Sequence, residues 1–444
     1  MILTMIKKMI PRKIFRMAQP IYHYVMGFLA VLVCGFPGRK MIVVGVTGTT
    51  GKTTVVYLTA QALRHAGLRV GYTSTAMFSD GKNDWLNDKK MTMVGRFFTQ
   101  NILRRMVRNG CDVAIVETTS EGAVQFRHRF INYDVMVFTG LYPEHIDSHG
   151  SFDNYKNAKK EIFAHLAQCK HKTIKGKHIA KTIVANMDDL HAQDFMQFDV
   201  EKKIGFTQGD MQDASMQIVQ YTAGISNKTG VRFACDGVDV QMHILGDFNA
   251  TNAVAAISVA QALGVEKNRA IEGLMQVMSL PGRLERIDEG QDFTVIVDYA
   301  FEPVAVTKLY ETIRVLEPKN IIHVLGSTGG GRDISRRAKL GRIAGELARS
   351  VIVTNEDPYD DDPLEIISAV ADGARETGKV EGRNLFLITD RDRAIEKAVS
   401  IAHTGDVVLI TGKGSEQAIA GKDGILFPWD DRRCVREALR KLRK

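Results

Sequence analysis

VVGVTGTTGKTT, running from Val43 to Thr54, is the stretch whose reading decides the fold. Its first half is an apolar run suited to a buried strand, and its second half is a glycine- and threonine-rich loop ending in Gly51-Lys52-Thr53-Thr54. A strand, a loop and a helix start in that order aim several backbone N–H groups and a lysine at one point, with the positive end of the helix dipole behind them. A triphosphate requires that arrangement. Gly48, Thr49, Thr50, Gly51, Lys52, Thr53 and Thr54 are therefore the expected ATP-phosphate contacts. The pattern is a P-loop variant, because strict spacing asks for glycine at position 46, where Val46 stands.

Outward from the loop, Val55 to Ala66 reads as a helix, and Asp112 to Val116 and Asp134 to Phe138 read as buried strands with helical segments between them. Strands alternating with helices imply a mainly parallel sheet covered on both faces, with the chemistry at the carboxyl ends of the strands. Glu117 follows one of those strands directly, and the other leads into TGLYPEHIDSHG, which carries His145. A carboxylate and an imidazole at neighbouring strand ends above a P-loop suit a Mg²⁺ that bridges nucleotide phosphates; taken singly, each would serve as a helix cap or a surface group. Glu201 to Val240, punctuated by turns, reads as short antiparallel strands at the domain edge, and Lys170 to Lys181 as a solvated basic loop. From about residue 281 the segments FTVIVDYA, NIIHVLGS, SVIVTNEDP, LFLITD and DVVLITGKG form a second strand series. The expected fold is α/β, a P-loop domain with a mainly parallel sheet over residues 41–280 and a C-terminal Rossmann-like α/β domain over 281–444, after a leader of residues 1–40.

Charge narrows the class of partner. The net charge of +8 is concentrated in the leader, whose Lys7, Lys8, Arg12, Lys13, Arg16, Arg39 and Lys40 have no acidic residue among them. The remaining chain is nearly neutral, which argues against a nucleic-acid groove. Cys34, Cys111, Cys169, Cys235 and Cys434 are scattered without a C-x-x-C pair, so neither a zinc site nor a disulfide framework is expected and a reducing, cytoplasmic compartment fits. Between Pro20 and Pro37 lie sixteen uncharged residues. A membrane span wants roughly 20 apolar residues, so three readings of the leader stay open: a helix packed on the body, attachment at an anionic membrane surface, or a true span.

The motifs GTTGKTT, VETTS, EHID-x-HG, AKKEIF, GDFNATNAVAA, LPGRLE and VDYAFEP occur in that order and resemble the Mur ligases, most closely their tripeptide-forming (MurE) branch. The resemblance implies an ATP-dependent amide ligase of peptidoglycan precursor synthesis. In it Lys52 holds the β- and γ-phosphates, Thr53 and Glu117 hold one Mg²⁺, and His145 helps hold a second beside a carbamylated Lys159. Asn249 lies near the adenine, Arg283 contacts the γ-phosphate and Asp298 the ribose. By the same match Thr118, Thr119, Ser120, Arg127, Arg332, Glu356, Asp357, Tyr359, Gly412 and Glu416 line the substrate side. The implied partners are a nucleotide- or lipid-linked muropeptide donor and an amino acid, with residues 1–40 as the point of contact for a membrane surface or a protein.

Several positions depart from that pattern. Phe301 stands where these ligases carry histidine, Ser415 replaces another histidine, and Gly326 to Asp333 has one residue more than the family's glycine loop. Diaminopimelate-adding members carry D-N-P-R where this chain has Glu356-Asp357-Pro358-Tyr359, and tyrosine cannot form arginine's bidentate pair with a carboxylate. Members of the branch also carry a uridine-nucleotide-binding domain of about a hundred residues ahead of the P-loop, against about 40 residues here. The resemblance thus implies a ligase without that domain. A folate-type polyglutamylating ligase and a non-catalytic ATP-binding scaffold are the alternative readings.

Overall fold

The computed structural model describes residues 12–143 and 149–442, with side chains from Gln19 onward. Its larger sheet has nine strands, ordered Gln217–Gln220, Lys202–Thr207, Thr182–Asn186, Val135–Phe138, Ile42–Thr47, Val113–Glu117, Val70–Thr73, Met77–Ser79 and Asp84–Leu86. The first seven pair parallel and the last two add antiparallel. The P-loop strand is central because its residues are apolar on both sides. Val44 and Val46 join a core with helices Lys52–His65, Asn249–Ala262 and Lys267–Met275, while Met41 and Val43 join another with Arg96–Arg108 and Phe152–Gln168. Burial of alternate residues on opposite faces is what a doubly covered parallel sheet demands.

Two expectations need correction. Lys202–Thr207 and Gln217–Gln220 are parallel members of the large sheet, and only Ile225–Asn227, Gly230–Cys235 and Val238–Met242 make the expected antiparallel strands. Lys172 and Lys181 are not solvated. Both are buried on Asp134, which also accepts the Val43 N–H at 2.8 Å. The hairpin of Lys172–Ile174 and Lys177–Ile179 is thereby locked beside the foot of the P-loop strand, and burial against Asp134's attraction pushes the Lys172 amine down to about 8.

The second sheet has six strands, ordered Glu285–Ile287, Thr294–Val297, Val407–Ile410, Ile321–Leu325, Ser350–Val353 and Leu385–Leu387, parallel except for the antiparallel edge at Glu285–Ile287. Helices Pro303–Ile313, Arg336–Leu347 and Pro363–Arg375 cover one face, and Arg391–Ser400 with Asp431–Leu442 the other. The leader forms helix Arg12–Cys34, whose Gly27, Ala30, Val31 and Cys34 face the body. Gly27 fits because a Cβ there would lie 2.8 Å from the Phe130 ring. No described helix is long and apolar enough to cross a membrane.

A lysine joins the two sheets. Lys90, in the turn after Asp84–Leu86, places its Nζ 2.6 Å from both oxygens of Asp357, 3.1 Å from Glu416 Oε2 and 3.0 Å from the Ala418 carbonyl. Lys413 Nζ meets Asp357 at 3.0 Å and also binds Glu416, so two buried ammonium groups share two carboxylates. Removing one partner of such a buried network leaves charge unbalanced. Lys90→Ala is expected to cost about 3 kcal/mol, read from denaturant midpoints. In an Asp357→Asn background the further cost should shrink markedly, because the two residues are coupled; equal costs in both backgrounds would refute the joint.

Candidate active site

The P-loop's shape is set by two glycines at positive φ. Gly48 has φ 153 and Gly51 φ 78, and a Cβ on either would collide, with Thr139 Oγ1 and with Asn252 Oδ1 respectively. The neighbouring strand end pins the loop. Thr49 N donates to the Gly140 carbonyl at 2.8 Å, and Thr139 Oγ1 donates to the Thr50 carbonyl at 2.6 Å. Lys52 begins the helix and folds back over the loop, donating to the carbonyls of Gly48 at 3.1 Å and Thr49 at 2.6 Å. Thr54 continues the helix's first turn beside it.

Register brings Glu117 to the same place. Val46 pairs with Glu117 across the parallel ladder, and the buried carboxylate accepts from Thr53 Oγ1 at 2.9 Å. Thr75, at the end of the next strand, adds its N–H at 2.8 Å and its Oγ1 at 3.0 Å. A hydroxyl and a carboxylate meeting over a phosphate loop are a hard-oxygen donor set, and they fit Mg²⁺. Thr75 carried no signal in the sequence, since only the pairing of Val70–Thr73 with Val113–Glu117 delivers it.

Helix Phe152–Gln168 closes over the loop from the other side. Lys159, an ordinary helix lysine by spacing, is only 2% exposed, and its Nζ donates to the Gly48 carbonyl at 2.8 Å. Its ammonium lies 4.5 Å from the Tyr155 ring centroid, and the Tyr155 hydroxyl donates to Thr49 Oγ1 at 3.2 Å. His145 lies outside the described residues. His149 is described, with Nε2 3.0 Å from Ser120 Oγ. The other residues after Glu117 are structurally engaged. Thr118 is fully buried with its hydroxyl 3.1 Å from Tyr133 Oη, and Thr119 caps helix Ser120–Val124. Arg127 Nη2 donates to Gln125 Oε1 at 2.6 Å and its Nη1 to the Met93 carbonyl.

Asn249 opens its helix with Nδ2 donating to the Leu245 carbonyl at 2.6 Å, while its Oδ1 accepts from Asn252 at 2.9 Å. Asn252 is the missed member of that pair, since it is the side chain seated against Gly51. Both asparagines stood in the GDFNATN run, so the signal was present. Further along, the Arg283 guanidinium stacks 4.2 Å over the Tyr299 ring. Asp298 accepts N–H groups from Leu284 and Ala300, each at 2.7 Å; burial raises its carboxyl despite the opposing pull of Arg283 and those bonds.

A second constellation lies at the strand ends of the C-terminal sheet. Gly412, at φ 102, leaves the room that Glu356 Oε2 needs, and Glu356 accepts from Thr328 Oγ1 at 3.0 Å. Burial and the adjacent Asp357 push the Glu356 carboxyl up. Burial acts the same way on Asp357, but Lys413 and Lys90 outweigh it and hold that carboxyl below its ordinary value. Tyr359 takes φ 52 with its ring over Gly330, and its phenol meets the exposed Arg332. Phe301 sits between the Tyr299 ring, 5.3 Å away, and the Arg336 guanidinium, 5.5 Å away. Glu416 is held by Lys90 and Lys413, and neither lysine was singled out from sequence.

Residues 46–260 match the Mur ligase middle domain, and residues 282–414 match the Mur ligase glutamate ligase domain. The chain is 37% identical over 421 residues to a UDP-N-acetylmuramyl-tripeptide synthetase of Roseiflexus sp. (strain RS-1), covering 93% of this chain and 81% of that one. It is 32% identical over 422 residues to a UDP-N-acetylmuramoyl-L-alanyl-D-glutamate--2,6-diaminopimelate ligase of Geobacillus kaustophilus (strain HTA426), covering 94% and 82%. Among solved structures, a ligase of the latter name aligns with a TM-score of 0.60 at 25% identity over 91% of this chain and 80% of that one. Folylpolyglutamate synthase of Mycobacterium tuberculosis shares the fold, with a TM-score of 0.65 at 17% identity over 88% and 92%. With its P-loop, its two α/β sheets and these matches, the chain belongs to the Mur ligase family of ATP-dependent amide ligases.

Proposed function

We propose that the chain uses ATP to join an amino acid, a diamino acid in the first instance, to the terminal carboxylate of a muramoyl-dipeptide-like donor. The observation that carries this reading is the burial of Lys159 against the P-loop carbonyl of Gly48, in the loop that also orients Thr53 towards Glu117. A carboxylate is a poor electrophile because oxide would have to leave. Transfer of the γ-phosphoryl group to the carboxylate oxygen replaces that leaving group with phosphate, and ADP departs. The acceptor's amine nitrogen then forms the C–N bond as the C–O bond to phosphate breaks and the amine proton is lost.

In this reading the chain's own work is positioning and charge balance. The backbone of Gly48 to Thr54 and the Lys52 ammonium bind the phosphates, and Arg283 offsets charge on the transferred group. Asn249 and Asp298 sit at the nucleoside end. Mg²⁺ held by Thr53 and Glu117 would neutralise phosphate charge, and a second ion would fall to His145 and a carbamylated Lys159. Carbamylation joins the neutral Lys159 amine to carbon dioxide with loss of a proton, turning a cation into a carboxylate suited to a metal. On the acceptor side Arg332, beside the Tyr359 phenol, supplies a guanidinium for the amino acid's carboxylate, while Glu356, Asp357 and Glu416 attract its ammonium groups.

The direct test supplies ATP and Mg²⁺ with UDP-N-acetylmuramoyl-dipeptide and a panel of amino acids, reading phosphate release and product mass together. A gain of one amino acid with matching phosphate is expected. Glutamate addition to a folate, or nucleotide binding with no product from any donor, would reject the reading. Lys159→Ala should lower ligation by about a hundred- to a thousandfold while nucleotide affinity changes little; full activity in that variant would remove the carbamate from the scheme. Tyr359→Arg is expected to move acceptor preference towards diaminopimelate by roughly tenfold. An unchanged ranking would show that position 359 does not face the acceptor.

A further inference from the structure

Over residues 19–34 the leader helix buries one face and leaves the opposite face uncovered. Ile21, Val25, Phe28, Leu29, Leu32 and Val33, at the spacing of one helical stripe, are between 41% and 70% exposed. Tyr22 and Tyr24 flank the stripe with half of each ring in solvent, and such amphipathic rings favour a membrane interface. A contiguous apolar patch on a folded surface marks an interaction site.

Charge identifies the partner. Residues 1–40 carry seven lysines and arginines and no acidic residue. Where the stripe ends, Val33 borders a cleft of about 270 Å³ to which Lys40, Arg104 and Arg108 contribute three cations, with no carboxylate among its lining residues. Two copies meeting through this face would oppose cation to cation. A surface offering hydrocarbon beneath phosphate matches both halves of the site.

We propose that the outer face of the leader helix over residues 19–34, with the Lys40, Arg104 and Arg108 cleft, docks on an anionic phospholipid bilayer. The helix lies along the boundary between headgroups and acyl chains without crossing it, because its Gly27, Ala30, Val31 and Cys34 face stays packed on the body. This surface is independent of the ligase reading, since it uses none of the residues placed at the nucleotide or the acceptor.

The test is co-sedimentation of the full chain with vesicles of phosphatidylcholine alone and of phosphatidylcholine mixed with phosphatidylglycerol. Partitioning should be at least about tenfold stronger on the anionic vesicles and should weaken with salt. Ile21→Ser/Leu32→Ser, at exposed positions outside the core, should release the chain from both vesicle types, with its melting curve unchanged. Lys40→Glu/Arg108→Glu should abolish the preference for phosphatidylglycerol. Equal binding to both vesicles, or full binding by the serine variant, would overturn the proposal. So would a dimer in light scattering that the serine variant disperses, which would assign the face to a second copy.

Discussion

Two lysine side-chain nitrogens converge on one carbonyl oxygen, with Lys52 Nζ 3.1 Å and Lys159 Nζ 2.8 Å from the oxygen of Gly48. The first arrives by turning back from the helix it begins, the second from a helix more than a hundred residues later that packs across the sheet. The Lys52 ammonium adds to the positive end of the helix dipole at the N-terminus of Lys52–His65, where a polyanion's charge is stabilised by both. The remaining geometry serves that focus. Glycine at 48 and 51 lets Thr139 and Asn252 press against the loop, and the parallel register beside it delivers Glu117 and Thr75 to its rim.

The second constraint is the sharing of Asp357 and Glu416 between Lys90 and Lys413. It ties the turn after one sheet's last strand to strand-end loops of the other, so that the P-loop sheet and the loops carrying Asp357 and Glu416 are held relative to each other by buried charge. Such a joint is specific but not strongly stabilising, because desolvation offsets much of the attraction. Groups of this kind can exchange partners. In the proposed reaction an acceptor ammonium offers the same charge that Lys90 supplies, so acceptor binding and the fit between the two sheets draw on the same carboxylates.

What the sequence made legible was local. The P-loop, Glu117 and the principal parallel strands of both sheets follow from short apolar runs bounded by glycine, a pattern that burial on both faces imposes. Thr75 and Lys90 were not legible because each matters through a partner far along the chain, as Lys90 does across 267 positions to Asp357. Lys172 and Lys181 were misread for a related reason. A run of lysines looks solvated until Asp134, at the foot of a strand, is seen to bury two of them. The strands Lys202–Thr207 and Gln217–Gln220 were misassigned because their turn-rich surroundings resemble those of hairpins, and short parallel strands carry no turn that fixes their direction.

At one strand end of the C-terminal sheet two adjacent carboxylates, Glu356 and Asp357, are driven apart by their surroundings. Asp357 faces two ammonium groups and is held ionised, whereas Glu356 is buried beside that negative charge and pushed upward. Gly412 permits this crowding, since any side chain there would displace the Glu356 oxygen. Neighbouring carboxyls whose environments separate their protonation suit different tasks, one anchoring charge and the other holding its proton more tightly than a free carboxyl. An attacking amine must shed a proton while its ammonium form is what the site attracts. In the proposed reaction Asp357, held ionised, would attract the ammonium, with Glu356 beside it in the same strand-end turn.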